Sequence, residues 1–542
     1  MDTKALRQKI LDLAIRGKLV PQDPNDEPAE VLLERIREQK QQMLKEGKLK
    51  KKDIKNDTII FKGEDNLHYE KFVDGTVKCI EDEIPFELPE GWAWTRLRVL
   101  LNVCSSKRVL KSDWEKEGIP FYRAREIVKL SENGFVNNEL FITKKHYLEL
   151  KKNYGMPQPG DLMVSGVGTI GKVYIVKSGD RFYYKDASVL CFENRNKLLV
   201  SKFAKILLES SFIQSQMRDN SNGTTVDTIT ISTAMNYLCI VPPKNEQTRI
   251  VDAVQKALVK VNTIQSDTER LQSTIKNLKS KILDLAIHGK LVPQDPNDEP
   301  ASVLLKRIRA EKEKLIKQGK IKRDKKESII FKGDDNSYYE RIGVETCCID
   351  KQIPFGIPDN WTWCRLKSLA HPTENSFVDG PFGSNLKTEH YTDSREVRII
   401  QLNNIGDFEW KNAGVRYTTF EHAETLSRCI SYPGDIVIAK MMPAGRTIII
   451  PSVEEKFIIS SDCIKLRASK RINTKFLMYM INSPSINKCI LENVQGIGRT
   501  RTSLTKIKEL LVPIPPLEEQ IRIVQYISKV YGQLKIISES LM

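Results

Sequence analysis

KILDLAIRGKLVPQDPNDEPA, residues 9–29, returns as KILDLAIHGKLVPQDPNDEPA, residues 281–301, with Arg16 replaced by His288 as the single change. The offset, 281 − 9 = 272 residues, is about half the chain. The copying continues. IIFKGEDN from Ile59 returns as IIFKGDDN from Ile329, and IPFELPEGWAWTRL from Ile84 returns as IPFGIPDNWTWCRL from Ile353. Self-similarity at a fixed period marks a repeat architecture, here two near-equal halves. When Pro242-Pro243 before KNEQTRIV is matched to Pro515-Pro516 before LEEQIRIV, Met542 falls opposite Glu269 and Met1 opposite Ser273. The break in the repeat thus lies inside a heptad-patterned segment. The expectation is a circularly arranged molecule with a pseudo-twofold axis, its first and last pieces together rebuilding what the middle carries whole.

That heptad segment begins at Ile250 and runs through Val254, Ala257, Val261, Ile264, Leu271, Ile275, Leu278, Ile282 and Leu285, with Thr268 as a polar seam position. Alternating spacings of four and three over five heptads predict a helix of about 54 Å with a coiled-coil seam. The C-terminus repeats the first half of the seam with Ile523, Ile527, Val530, Leu534, Ile537 and Leu541, and the N-terminus supplies the second half with Leu6, Ile10 and Leu13. One continuous helix and one in two pieces would then pair antiparallel. Gly532 is a weak point, because an interior glycine costs a helix about 1 kcal/mol.

After each helix, GKLVPQDPNDEP reads as a turn. It leads into charged amphipathic helices at about 29–46 and 301–318, then into the basic runs KLKKKDIK from Lys48 and KIKRDKK from Lys320. Such runs are solvated faces or phosphate-tracking segments. The blocks that follow, about 84–241 and 353–512, are short-stranded and glycine-rich, and they differ strongly from each other. Similar frames therefore display dissimilar blocks.

The formal charge of +16 is spread over both halves, which favours a polyanionic partner. Ten scattered cysteines without a CxxC pair suggest neither a zinc knuckle nor a disulfide framework. The opening MDTKALRQK and the lack of any apolar run near 18 residues predict no signal peptide and no membrane span, hence a cytoplasmic protein.

GDLMVSGVGTIGKVYIV from Gly160 contains GxGxxG and GxxxxGK, but both phosphate-loop readings need a helix where VYIV reads as a strand. Position 173 is Val where a magnesium-binding Ser or Thr belongs. The second block keeps Pro433-Gly434-Asp435, Gly445 and Arg446 but has Lys440 and Met442 in place of two glycines. What survives is a hairpin that could push Ser165, Thr169 and Lys172, or Lys440, Arg446 and Thr447, into a groove. Arg and Lys read guanine and Asn and Gln read adenine by bidentate pairing, which adds Arg123, Arg125, Gln401, Asn403 and Asn404. Thr224 and Thr225 in SNGTTVDTITIS, with Arg499 and Arg501 in GIGRTRTSLTK, complete the candidate DNA contacts. There is no HExxH, GxSxG, paired-acid nuclease motif or Asn/Asp-Pro-Pro-aromatic tetrapeptide, so no catalytic, cofactor or metal residue is assigned.

In these features the chain resembles the specificity subunits of type I restriction-modification enzymes, the HsdS family. The resemblance rests on the helices entered through PPKNEQTRIV and PPLEEQIRIV, the KILDLAIxGKLVPQDPNDEPA repeats, the IPFxxPxxWxW openings and the PGD hairpins. It implies an α+β protein in which two α/β target-recognition domains are separated by two long antiparallel helices. The divisions expected are a distal helix in two parts (1–17 and 517–542), charged segments (18–83 and 289–352), recognition domains (84–243 and 353–516) and a central helix (244–288). It also implies a non-catalytic reader of a bipartite, asymmetric site in double-stranded DNA. Two modification subunits (HsdM) using S-adenosylmethionine, and two restriction subunits (HsdR) using ATP and Mg, would carry the chemistry. A self-sufficient adenine methyltransferase or nuclease, and a coiled-coil scaffold without a DNA role, are the alternatives.

Overall fold

In the computed structural model, residues 2–541 are described except 48, 196, 220–226, 325–326, 493–500 and the side chains of 52 and 53. The chain divides into two compact units, 1–267 and 268–542. The central helix, Lys244–Ile287, gives its first half to one unit and its second half to the other.

In the first unit the N-terminal helix, Thr3–Ile15, lies antiparallel on the central helix. Thr3 Oγ1 meets Gln265 Oε1 at 3.4 Å, and Arg7 bonds both Gln265 and Asn262. Ile10, Ile250, Val254 and Val261 close this seam, with Leu6 partly buried beside them. In the second unit the C-terminal helix, Leu517–Ser540, packs on the other half through Ile523, Ile527 and Leu534 against Ile275 and Ile282. The Tyr531 hydroxyl donates to Lys279 O at 2.8 Å. Gly532 sits on an exposed face and the helix runs through it unbroken.

Four seam assignments fail, Ile537 of the C-terminal helix at 44% exposed being one. Ile264, Leu271 and Leu278 are 38%, 40% and 44% exposed. The N-terminal helix begins at Thr3, beside Gln265, so its seam closes no further along than that. In the second unit the buried stripe is Ile275, Ile282, Leu283, Ala286 and Ile287, and at 100° per residue Leu278 stands about 100° off its centre.

The frames match bond for bond. Trp92 Nε1 donates to Glu246 Oε2 and Trp361 Nε1 to Glu519 Oε2, both at 2.9 Å. Gln22 and Gln294 donate to the second oxygens of these carboxylates. Arg249 pairs with Asp26 and Arg522 with Asp298, at 2.6 and 2.5 Å. Gly17 and Gly289 adopt φ of 64° and 65°, and a Cβ there would sit 2.3 and 2.4 Å from the rings of Pro89 and Pro358. Only glycine fits such a position. Even the one altered residue keeps its role. The Arg16 guanidinium lies 4.8 Å over the Phe86 ring, and the His288 ring lies 4.0 Å from that of Phe355.

The turn GKLVPQDPNDEP leads to Ala29–Lys45 and Ala301–Lys317, close to the expected helices. Beyond them the charged segments fold into three-stranded antiparallel sheets, which patterning did not reveal. These are Thr58–Lys62 with His68–Phe72 and Val77–Cys79, and Ser328–Lys332 with Tyr338–Ile342 and Glu345–Cys348. Each turn is tied by a tyrosine, Tyr69 to Asp65 and Tyr339 to Asp335. Arg96 and Arg365 anchor these sheets to the blocks through Glu70 and Glu340.

Each block opens and closes on one strand pair: Ala93–Arg96 with Leu238–Val241, and Thr362–Arg365 with Leu511–Ile514. Between them lie four-stranded antiparallel sheets. The first has the order 102–104, 189–193, 162–165, 173–175, and the second 377–379, 463–466, 436–439, 447–449. The run VYIV is a strand, as the rejection of a phosphate loop requires.

Asp12 Oδ1, on the N-terminal helix, accepts from the backbone N and the hydroxyl of Ser211, and Asp284 Oδ1, on the central helix, does the same for Ser485, each tying a frame helix to a block helix start. D12A and D284A are each expected to destabilise their unit by about 1 kcal/mol, the usual cost of losing such a cap. Thermal unfolding should show similar losses for the two. A silent substitution at one site would break the equivalence of the frames.

Candidate nucleic-acid interface

The candidates cluster around the PGD hairpins. Leu162–Ser165 pairs antiparallel with Val173–Ile175, and Ile436–Ala439 with Thr447–Ile449. The carboxylates of the PGD motifs hold the hairpin starts: Asp161 accepts from Gln158 N and Asn194 N, and Asp435 accepts from Tyr432 N and pairs with Arg467 at 2.8 Å. Burial pushes the Asp161 carboxyl up.

The surviving glycines have a packing reason. Gly171 and Gly445 adopt φ of 76° and 84°, and a Cβ would lie 2.5 Å from the Gln214 amide or 2.6 Å from that of Asn487. The hairpin turns are pressed onto the helices Ser211–Asp219 and Pro484–Glu492.

Three candidates belong to the scaffold. Ser165 is fully buried; its hydroxyl donates to Thr169 O at 2.6 Å and accepts from Lys172 N. Thr447 is fully buried, its hydroxyl bonded to Gly445 O. Asn404, also buried, donates to Lys411 O and Ala413 O and accepts from Gln401 N. Each of these polar groups is spent on bonds inside its own turn.

The remaining described candidates reach the surface. Thr169 and Asn403 are exposed, and Gln401 is half-buried near the Tyr391 hydroxyl at 3.4 Å. The cations are held by carboxylates that the sequence reading did not single out. Lys172 pairs with Glu132 at 3.2 Å, Lys440 with Asp379 at 3.0 Å, Arg446 with Asp407 at 3.2 Å and Arg501 with Asp462 at 4.0 Å. Arg123 and Arg125 share Glu126 at 2.9 and 2.6 Å, and Arg125 also meets Glu139. Burial would raise the Glu126 carboxyl, but its bonds to Arg123 and Arg125 hold it below the usual range. Thr224, Thr225 and Arg499 lie outside the described residues.

The blocks differ sharply at one equivalent sheet position. Cys191 stands opposite Cys104, whereas Lys465 stands opposite Val378. Lys465 is buried and donates to Ile430 O at 2.7 Å and Arg428 O at 3.2 Å. Burial pulls its ammonium down to about 8.

Among the described residues, no group of three or more His, Cys, Asp or Glu could hold a metal ion, and no helix is long and apolar enough to cross a membrane. Matching frames that carry unlike, cation-edged blocks define a two-headed recognition protein. The sequence model described as "Type I restriction modification DNA specificity domain" matches residues 89–274 and 390–541, more than half of the chain. The chain belongs to this family, and its function is DNA sequence specificity in a type I restriction-modification system. It is 29% identical to the EcoAI specificity subunit of Escherichia coli, over 96% of this chain and 87% of the relative. It is 25% identical to the EcoEI specificity subunit of E. coli, over 98% and 90%. A solved structure titled for complex assembly and conformational transition of the type I R-M system aligns with TM-score 0.50 and 16% identity, over 84% of this chain and 94% of that one. This last likeness supports the fold.

Two stability measurements check these assignments. N404A leaves two carbonyls short of a partner and should cost about 1–3 kcal/mol, whereas exposed N403A should stay within about 0.5 kcal/mol. Lys465 has a folded pKa below its ordinary value near 10.4, so unfolding takes up a proton between about pH 8 and 10.4. Stability from this group should rise with pH across that window and be level below about 8, where both states carry the proton. K465M should lack this slope in denaturant titrations at stepped pH, and an unchanged slope would show that Lys465 is not its source.

Proposed function

We propose that each block reads one half of an asymmetric, bipartite site in double-stranded DNA, residues 84–243 one half and 353–516 the other. The observation that carries this reading is the contrast between frames that match bond for bond and blocks that differ even at buried positions such as Cys191 and Lys465. A surface kept twice suits two copies of one partner, here the modification subunits, while a surface that diverges suits two different targets. The candidates at the hairpin turns and block edges, Arg123, Arg125, Thr169, Lys172, Gln401, Asn403, Lys440, Arg446 and Arg501, together with the sequence candidates Thr224, Thr225 and Arg499, supply the base and phosphate contacts.

In this reading the chain is a non-catalytic subunit. It binds neither S-adenosylmethionine nor ATP; modification and restriction subunits, two of each in the full complex, transfer the methyl group and cleave. The helices set the half-site spacing, and half-sites on one face of B-DNA have centres about one turn, ~34 Å, apart. The complex works in the cytoplasm, where its DNA lies.

The pairing of each block's first and last strands makes the block a self-closed insert. Replacing residues 84–241 with another such block should change one half of the methylated motif and leave the other unaltered, as read by methylome sequencing of a host that also carries the modification partner. A change in both halves would refute the two-reader assignment. Affinity for a site-bearing duplex should fall with log salt at a slope of about −0.9 per neutralised phosphate. K172Q and R446Q should each flatten that slope by about one contact, and an unaffected slope would remove these residues from the interface. Methyl transfer by the purified chain with S-adenosylmethionine alone would favour the enzyme alternative.

A further inference from the structure

Phe382 is 80% exposed, far more than a phenylalanine without a partner needs to be. Its loop is built to hold it there. The strand Phe377–Asp379 ends at Gly380, whose N–H donates to Cys463 O at 3.0 Å, and a Cβ at Gly380 would lie 1.9 Å from Ser460 O. Pro381 is buried at the base of the loop. On the far side, Asn385 N donates to Phe382 O at 2.8 Å, and the His422 ring donates to Asn385 O at 3.0 Å. Leu386 packs on the core of Val397, Ala423 and Ile458. The ring thus rides on an anchored turn, so a contact made by it costs little ordering entropy.

The loop stands among the candidate DNA contacts. Asp379, at its base, pairs with Lys440 of the hairpin turn; Lys440 N donates to Asp462 O, and Thr502 N to Lys440 O. Arg501, more than half exposed, faces Asp462. Segments of the loop base, the hairpin turn, the entry to strand Cys463–Leu466 and the Arg501–Thr502 stretch therefore meet around Lys440 and Asp462, with Asp379 only three residues before the exposed ring. The loops that follow this strand differ between the blocks: from the equivalent residues Cys104 and Val378, the next capped turn starts six residues on at Leu110 in the first block and nine residues on at Lys387 in the second. Arg108, exposed and paired with Asp186, lies in the shorter loop.

We propose that Phe382 is a stacking wedge that places its ring on the face of a base in the half-site read by the second block, opening one base step. This deepens the reading given above and rests on it. An apolar wedge between base steps works with neighbouring cations on the backbone, which the surroundings of Lys440 and Arg501 provide.

The test uses the full chain with its modification partner and a duplex carrying the motif found by methylome sequencing, with 2-aminopurine stepped through the second half-site. The intact protein should raise fluorescence at one step. F382A should abolish that rise and weaken binding by about 5- to 150-fold, the range typical of one base–aromatic stack. F382W should retain both, and R108A should leave the second half-site signal unaltered. An F382A protein with unchanged melting temperature, affinity and fluorescence would overturn the proposal. So would a loss of modification-subunit binding with the duplex signal preserved, since the ring would then face a protein. If the intact complex shows no preference for the motif duplex, the specificity reading fails instead of the wedge.

Discussion

A buried carboxylate in the first turn of a long helix holds each half together. Glu246 and Glu519 are almost wholly buried, and burial pushes both carboxyls up. Each uses both oxygens, one for the indole of the block's opening segment and one for the glutamine of the preceding turn. A helix N-terminus favours negative charge, and paired oxygens avoid the cost of an unsatisfied buried group. Block entrance, frame turn and helix start thus meet at one residue. The next residue along makes a second repeated join: Gln247 accepts from Val200 N and Gln520 from Asn473 N, while their amides donate to Pro242 O and Pro515 O.

This join explains how the blocks can diverge without disturbing the frame. Many of the repeated bonds lie at block edges: the indoles, the first and last strands, and the arginines Arg96 and Arg365 that reach back to Glu70 and Glu340. Inside, the same sheet position accepts a cysteine pair or a lysine bound to two carbonyls. The change falls on the sheet face turned away from the frame: Cys191 packs with Met163, Tyr174 and Val189, whereas Leu162, Val164, Leu190 and Phe192 on the other face share the core of the frame residues Ile10, Ala14 and Ile250. Sequence identity between the halves is therefore highest where side chains bond across elements and lowest where they serve only one block.

The same contrast governs what could be read from residues alone. The repeat exposed the frame because two copies of one pattern report which positions are constrained, and the helices fall close to their expected bounds. The seam was legible at Ile250, Val254, Ile275 and Ile282 but overextended at Ile264, Leu271 and Leu278, because spacing does not tell how far a partner helix reaches. The small sheets after the amphipathic helices were hidden by charge, with strands such as HYEKF carrying little apolar alternation. At the interface, residue type picked out the cations but could not separate Ser165, Thr447 and Asn404, which bond within their turns, from Thr169 and Asn403, which do not. Nor could it find the partner carboxylates: Glu132 and Asp379 lie 40 and 61 positions from Lys172 and Lys440.

Under the proposed reading, in which these cations meet DNA, those carboxylates bear on how the heads discriminate. A mostly exposed ion pair is worth about 0–1 kcal/mol, so Arg446 or Arg501 can leave Asp407 or Asp462 for a phosphate at small cost. Until then the carboxylate keeps the cation extended at the surface and lowers the local positive potential, which weakens attachment to arbitrary DNA. Once a cation has moved to a phosphate, the carboxylate stands beside the polyanion and must find a donor. A base edge that supplies one, such as a cytosine amino group, relieves the repulsion, and a base that does not leaves it in force. Paired cations at a DNA-facing edge therefore trade general affinity for dependence on sequence, the balance that a specificity subunit requires.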